Sequence, residues 1–289
     1  MNAFNDQLSL NGVEETALLT VYAKAIESQS EDPILKDERI EGLIQRLDPL
    51  LERTDSKMAK ILLRRGIDPR LTIHMPIRAK KYDTYAIEFL KKHPAGVIVN
   101  LGCGLDTRFF RIDNGQVEFF DLDLPEMIEL KRGLLGEHER YHLIGQSALD
   151  FTWMDQAARL NRPALVLAEG IFMYLPEEKV KALVLKLQQR FPDSELVCEL
   201  TNRTWVEGFW GKMAGLKMKQ RFKMTDEASF KFGVSSANEL ETWGKGIKFL
   251  QMWFYMDGNH PKLGLMRIFR KMKIFRDAQF TAHYRLHAV

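Results

Sequence analysis

Two glycines flank a cysteine at Gly102-Cys103-Gly104, directly after the apolar run Val97-Ile98-Val99-Asn100-Leu101, and two aspartates, Asp121 and Asp123, close the next such run. A buried strand ending in glycines lets the backbone turn sharply and approach a ligand where side chains would collide. Carboxylates about twenty residues further on, at the end of the second strand, can accept both ribose hydroxyls of a nucleoside. Taken singly, each feature has a plain structural reading: a turn for the glycines, a helix cap for an Asp before Leu-Pro. Together they point to a bound nucleoside.

The dinucleotide fingerprint needs a third small residue after the second glycine, so that a pyrophosphate can sit on the helix N-terminus. Thr107 holds that place here, preceded by Asp106. An anion at the turn would repel pyrophosphate and suit the cationic sulfonium of S-adenosylmethionine. Methyl transfer from such a cation needs an acceptor atom about 3 Å away in a dry site, and no metal in principle. The seven histidines and two cysteines follow no zinc-ligand spacing.

The elements that must position these residues can be read from hydrophobic period. Residues 13–93 are expected to be helix after helix, with Val13, Ala17, Val21 and Ala25 on one face and Leu43, Leu47, Leu50 and Leu51 on another, broken at Asp32-Pro33 and Asp68-Pro69. After Pro94-Ala95-Gly96, short β-branched runs (GVIVNL, VEFFDLDL, YHLIGQ, PALVLAE, SELVCEL) alternate with helical stretches opening at Pro125, near 153–160 and at Pro176. Such alternation implies an α/β doubly wound sheet. Irregular text over 201–246 reads as an inserted cap, followed by two more strand candidates, IKFLQMWFY and AQFTAHYRLHA, around a basic helix at 262–276. The expected organisation is an N-terminal helical cap region, 1–95, and a core, 96–289.

Composition removes several classes. The 289 residues carry 42 basic and 39 acidic side chains, a formal charge of +3, too balanced for a chain-wide nucleic-acid surface. Two cysteines, Cys103 and Cys198, make no disulfide scaffold and fit a reducing, cytoplasmic compartment. The polar opening MNAFNDQLSLNGVEE lacks a signal-peptide core, and no apolar run reaches membrane-spanning length, so a soluble chain without membrane partners is expected.

The blocks VIVNLGCGLDTRFFR, FFDLDLPEMIELKR and LVLAEGIFMYLPEE, in this order, resemble the leucine carboxyl methyltransferase superfamily, and more closely its bacterial polyketide-type (tetracenomycin-pathway-like) O-methyltransferase branch. AKAIESQSEDPILKDERI, IRAKKYD and WGKGIKFLQMWFY extend the likeness over most of the chain. It implies a Rossmann-like class I methyltransferase fold: a seven-stranded, mostly parallel sheet with helices on both faces, the last strand antiparallel, under a helical cap. It further implies that Gly102 and Gly104 form the cofactor turn, that Asp123, with Asp121 beside it, meets the ribose, and that Arg78 pairs with the methionine carboxylate. Glu169 would lie near the amino group or sulfonium. The family's adenine-binding Asp-Leu pair falls on Ala148-Leu149, between Ser147 and Asp150, so the adenine contact passes to Ser147, Asp150 or the backbone.

The acceptor is expected in a pocket formed by the cap segments over the carboxyl ends of the strands. A carboxylate acceptor arrives ionised and needs no base. A hydroxyl acceptor would use one, with His74, Tyr174 and His260 as candidates, each also readable as an ordinary packed side chain. Trp205, Phe209, Trp210 and Trp243 are candidate lining residues or simply the cap's own core. Lys217, Lys219, Arg221 and Lys223 could attract an acidic substrate or form a solvated face. The expected activity is O-methylation of a carboxylate or hydroxyl on a small metabolite. The alternatives are methylation of a protein C-terminus and nucleotide binding without methyl transfer.

Overall fold

Seven short runs of β-branched and aromatic residues pair into one sheet in the order β3-β2-β1-β4-β5-β7-β6. The strands are β1 (Val97–Leu101), β2 (Glu118–Asp123), β3 (Tyr141–Gly145), β4 (Ala164–Ala168), β5 (Ser194–Thr201), β6 (Ile247–Phe254) and β7 (Gln279–Leu286). The computed structural model describes residues 13–207, 230–255, 257, 260–272 and 276–288. Strands β1 to β5 are parallel, and β7 runs antiparallel to both β5 and β6. β1 and β4 are buried at every position, as central parallel strands covered on both faces must be. The order reverses between β1 and β4, which opens the crevice in which such sheets bind ligands.

The N-terminal region forms four helices: α1 (Val13–Ser28), α2 (Glu38–Glu52), α3 (Lys57–Leu63) and α4 (Pro69–Lys92). The break at Asp68-Pro69 acts as read, with the Asp68 carboxylate capping Arg70 N–H and Pro69 opening the helix. A further break precedes α3, where Ser56 caps Ala59 N–H. Leu18, Tyr22, Ile40, Leu43, Leu47 and Leu62 form a separate apolar cluster that reaches the core through Leu105 and Met127. α4 does two jobs. Its second half lays Tyr82, Tyr85, Ala86 and Phe89 on one face of the sheet against Ile98 and Leu165, while its first half carries His74 and Arg78.

The remaining helices are α5 (Arg108–Ile112), α6 (Pro125–Leu135), α7 (Met154–Ala158) and α8 (Glu177–Arg190). α8 buries Val180, Leu183, Val184 and Leu187 on the other face. The five-residue α5 is too short for hydrophobic period to register in the sequence. Two expectations change. Residues 261–271 are a 3-10 segment kinked at Gly264 rather than a regular helix. Within the expected 201–246 insertion, Phe232, Val234, Ala237 and Leu240 are buried in the main core, because Val234 bridges to Asn202 at the end of β5. No helix among the described residues is long and apolar enough to cross a membrane.

Candidate active site

The β1 strand ends in a turn that only glycine adopts without strain: φ is +62° at Gly102 and +48° at Gly104. Protein packs against both. A Cβ on Gly102 would lie 3.0 Å from Ile171 Cδ1, and one on Gly104 would lie 3.3 Å from Ala17 Cβ, so α1 rests on the turn. Asp123, one strand over, is half-buried, and its Oδ2 accepts from Gly104 N–H at 2.7 Å while Oδ1 accepts from Leu124 N–H at 2.8 Å. Burial pushes its pKa up, against the pull of those two N–H groups. The pair expected from spacing is therefore in contact, at the carboxyl end of the sheet.

Asp121 departs from expectation. It is 1% exposed, and its oxygens are taken by Asn100 Nδ2 (2.8 Å), Tyr141 O–H (2.6 Å) and Lys131 Nζ (2.6 Å). Side chains alternate along a strand, so two residues two apart share a face, but the twist and the end of β2 leave only Asp123 at the rim. Asp121 ties β1, β2, β3 and α6 together beneath the turn and has no face for a ligand.

Asp106 also differs. Its Oδ1 takes Lys24 Nζ (3.2 Å) and Thr107 N–H (2.9 Å), and its Oδ2 lies 2.8 Å from Arg108 Nη1. Burial opposes its charge, but Arg108, Lys24 and Arg111 outweigh burial and hold its pKa well below the usual range. Paired with three protein cations, Asp106 is not the unopposed anion that its place beside the turn suggests.

Glu169, just past β4, and Arg78, on α4, meet directly: Arg78 Nε donates to Glu169 Oε1 at 2.7 Å. Arg78 Nη1 also donates to Glu199 Oε2 at 3.1 Å. Arg78 thus complements Glu169 and Glu199. Burial works against its charge, but Glu199 and Glu169 hold its pKa above the ordinary value. Tyr255 O–H donates to Glu199, and its ring packs on His74 at 4.3 Å between centroids. Burial, then Arg78, lowers the pKa of His74 to about 3, so it is neutral near pH 7. Burial raises Tyr174, whose ring meets Phe230 edge-on at 5.5 Å. His260 Nδ1 accepts from Lys262 N–H at 3.3 Å.

After β3, Ser147 is exposed and its Oγ accepts from Leu149 N–H at 3.2 Å, while Ala148 and Leu149 are half-buried. Asp150 caps the next turn through Thr152 N–H at 3.2 Å. Trp243 packs against Phe232 as part of the sheet's core, 5.9 Å between centroids, because the segment carrying it joins that core. Trp205 is half-buried just beyond β5. Phe209, Trp210, Lys217, Lys219, Arg221 and Lys223 lie outside the described residues.

Sequence reading missed most of the charges that organise the site: Lys24, Asp37, Asp83, Arg108, Arg111 and Glu199. Arg108 Nε donates to Asp83 (2.8 Å) and Arg111 Nη1 to Asp37 (2.6 Å). The one available signal was the pair Arg108 and Arg111, three apart and hence on one helix face. Their acids stand on other elements, which spacing cannot reveal.

The sequence profile described as Leucine carboxyl methyltransferase matches residues 17–188, more than half of the chain and all of the strands from β1 to β4. The chain belongs to the leucine carboxyl methyltransferase family. Tetracenomycin polyketide synthesis O-methyltransferase TcmP of Streptomyces glaucescens is 32% identical over 87% of this chain and 86% of its own length. The S-adenosyl-L-methionine-dependent methyltransferase dpfgK of Gibberella zeae is 26% identical over 89% of this chain and 87% of its own. The crystal structure of a DUF574 family protein from Streptomyces avermitilis shares the fold, with a TM-score of 0.54 at 14% identity over 93% of this chain and 96% of that one. This member of the family is a methyltransferase that uses S-adenosylmethionine.

Proposed function

We propose that the chain transfers the methyl group to an oxygen of a small-molecule acceptor, and that a carboxylate is the oxygen it serves best. The contact between Asp123 and the Gly104 N–H at the sheet's switch point carries the cofactor half of this reading. A half-buried carboxylate there keeps lone pairs for two vicinal hydroxyls, while Gly102 and Gly104 keep the turn free of side chains. Bound S-adenosylmethionine supplies an electrophilic methyl on a positively charged sulphur. In this reading Glu169 accepts from the cofactor's ammonium group, Arg78 faces its carboxylate, and the segment Ser147, Ala148, Leu149 borders the adenine, with the Leu149 side chain offering an apolar surface.

Of the three candidate bases, His74 and Tyr174 bear on the acceptor half. An imidazole whose pKa has fallen to about 3 binds protons too weakly to deprotonate a neutral hydroxyl, and Tyr174 is pushed away from ionising. An acceptor that is already anionic asks only for orientation and exclusion of water. The relative TcmP, named an O-methyltransferase, supports oxygen as the receiving atom.

The test uses labelled methyl donor with panels of small aromatic carboxylic acids and phenols. Alkali-labile methyl esters are expected. Stable methyl ethers would move the assignment to hydroxyls, and transfer to neither panel alongside saturable cofactor binding would remove the small-acceptor reading. Asp123→Ala should weaken cofactor affinity about ten-fold or more, since a hydrogen bond to a charged group contributes about 1.5–3 kcal/mol.

A further inference from the structure

Glu169 is gripped from two sides, and the second grip belongs to a residue that cannot itself touch a ligand. Arg108 Nη2 donates to Glu169 Oε2 at 2.6 Å, yet Arg108 is only 1% exposed. Every arm of its fork has a carboxylate: Nε meets Asp83 Oδ1 at 2.8 Å and Nη1 meets Asp106 Oδ2 at 2.8 Å. Those anchors are held in turn. Asp83 Oδ2 takes Arg111 Nε at 2.6 Å, and Asp106 Oδ1 takes Lys24 at 3.2 Å. A planar guanidinium with two of its edges fixed has no freedom left at the third, so the direction of Nη2 is set by α4 and by the loop after the glycine turn.

We infer that Arg108 is a positioning residue for methyl transfer: anchored on Asp83 and Asp106, its guanidinium aims the Glu169 carboxylate at the ammonium group of the cofactor. The inference rests on the reading that Glu169 contacts the cofactor. Arg78 alone cannot do this work, because it reaches Glu169 through Nε only and is shared with Glu199. Two guanidiniums on one carboxylate also keep it charged. Burial pushes Glu169 toward its neutral form, but Arg78 and Arg108 outweigh burial and hold its pKa below the ordinary value. The groups that face it are Arg78 and His74 from α4, Arg108 from α5, Asp106 from the turn and Lys24 from α1, with Glu199, Tyr82 and Tyr255 behind Arg78.

The experiment is a double-mutant cycle on the full chain, read by calorimetric binding of S-adenosylhomocysteine, which carries the same ammonium group. The variants are Arg108→Lys, Glu169→Gln and both together, each checked for a cooperative thermal melt. A lysine keeps the charge but cannot span three carboxylates. Arg108→Lys should weaken binding about ten-fold in the parent, and less than about two-fold once Glu169 is Gln, because coupled residues give non-additive effects. Affinity should also fall on acidification at a higher pH in Arg108→Lys than in the parent, and this difference should vanish once Glu169 is Gln, where the acid limb left over belongs to Asp123 and is the same with or without Arg108. Equal losses in both backgrounds, with an unmoved acid limb, would overturn the proposal while leaving Glu169 as a cofactor contact. Full affinity in Glu169→Gln would overturn that contact and the proposal with it. If Arg108→Lys fails to fold, Asp83→Asn loosens the anchor while leaving Arg108 and Glu169 unreplaced, and the same background dependence is expected of it.

Discussion

Replacing Lys131 with Met tests whether Asp121 belongs to the interior or to the cofactor. Lys131 is wholly buried, and its Nζ lies 2.6 Å from Asp121 Oδ2. Removing one half of a buried ion pair costs about 3–5 kcal/mol, because the surviving charge is left uncompensated, whereas neutralising both halves with groups of similar shape comes close to break-even. Asp121 would still receive Asn100 at 2.8 Å and Tyr141 at 2.6 Å, so Lys131→Met should fall near the lower end, about 3 kcal/mol. Asp121→Asn strands a buried ammonium and should cost about as much. The double variant should lose less than the two single losses added, by a coupling of at least about 2–3 kcal/mol. Urea midpoints with an unchanged m-value measure this, and at roughly 2–4 °C per kcal/mol the melting temperature of Lys131→Met should drop by about 6–12 °C. Single losses below about 1 kcal/mol, or additive ones, would refute the buried-pair reasoning. Below its melt, Lys131→Met should bind S-adenosylhomocysteine within about three-fold of the parent, which is under 1 kcal/mol. A larger loss would return Asp121 to the binding surface.

Gly102→Ala meets both a left-handed backbone, about 1–2 kcal/mol, and a Cβ 3.0 Å from Ile171 Cδ1, about 1–3 kcal/mol more. Gly115→Ala, at φ +78° with nothing nearby, should lose the first part only, and equal denaturant shifts would refute the steric component. For His74 the folded pKa of about 3 lies below the unfolded value of about 6.5, so the unfolded chain binds the extra proton between those limits. Stability from this group is full above pH 6.5 and is lost as pH falls toward 3. His74→Phe, which keeps a ring against Tyr255, should flatten the slope between pH 6.5 and pH 4 by up to about 1.4 kcal/mol per pH unit, less because the ring is partly exposed. Identical slopes in the two proteins would contradict the assignment.

Charges whose partners are local are legible along the chain, and charges whose partners are distant are not. The break at Asp68-Pro69 follows from capping and turn chemistry that neighbouring residues dictate, and Asp123 meets Gly104 because adjacent parallel strands bring their ends together. Asp106 stands beside the glycine turn in sequence, and proximity alone suggested that its charge faced the ligand. Three cations from α1 and α5 close over it instead. Asp121 and Asp123 are the same residue type two positions apart, yet one is sealed beneath the turn and the other stands at the rim.

By itself the sequence determined the strands, most of the helices and the glycine turn with its acidic partner one strand away, because backbone propensity and hydrophobic period act over a few residues at a time, and its motif blocks carried the resemblance to the family. Tertiary structure alone decided which charges meet. Glu169 lies 61 positions from Arg108 and 91 from Arg78, and Arg78 lies 121 from Glu199. Ion pairs over such separations are chosen by how α1, α4 and α5 fold across the sheet, and burial then fixes whether each charge serves the ligand or the frame that holds it.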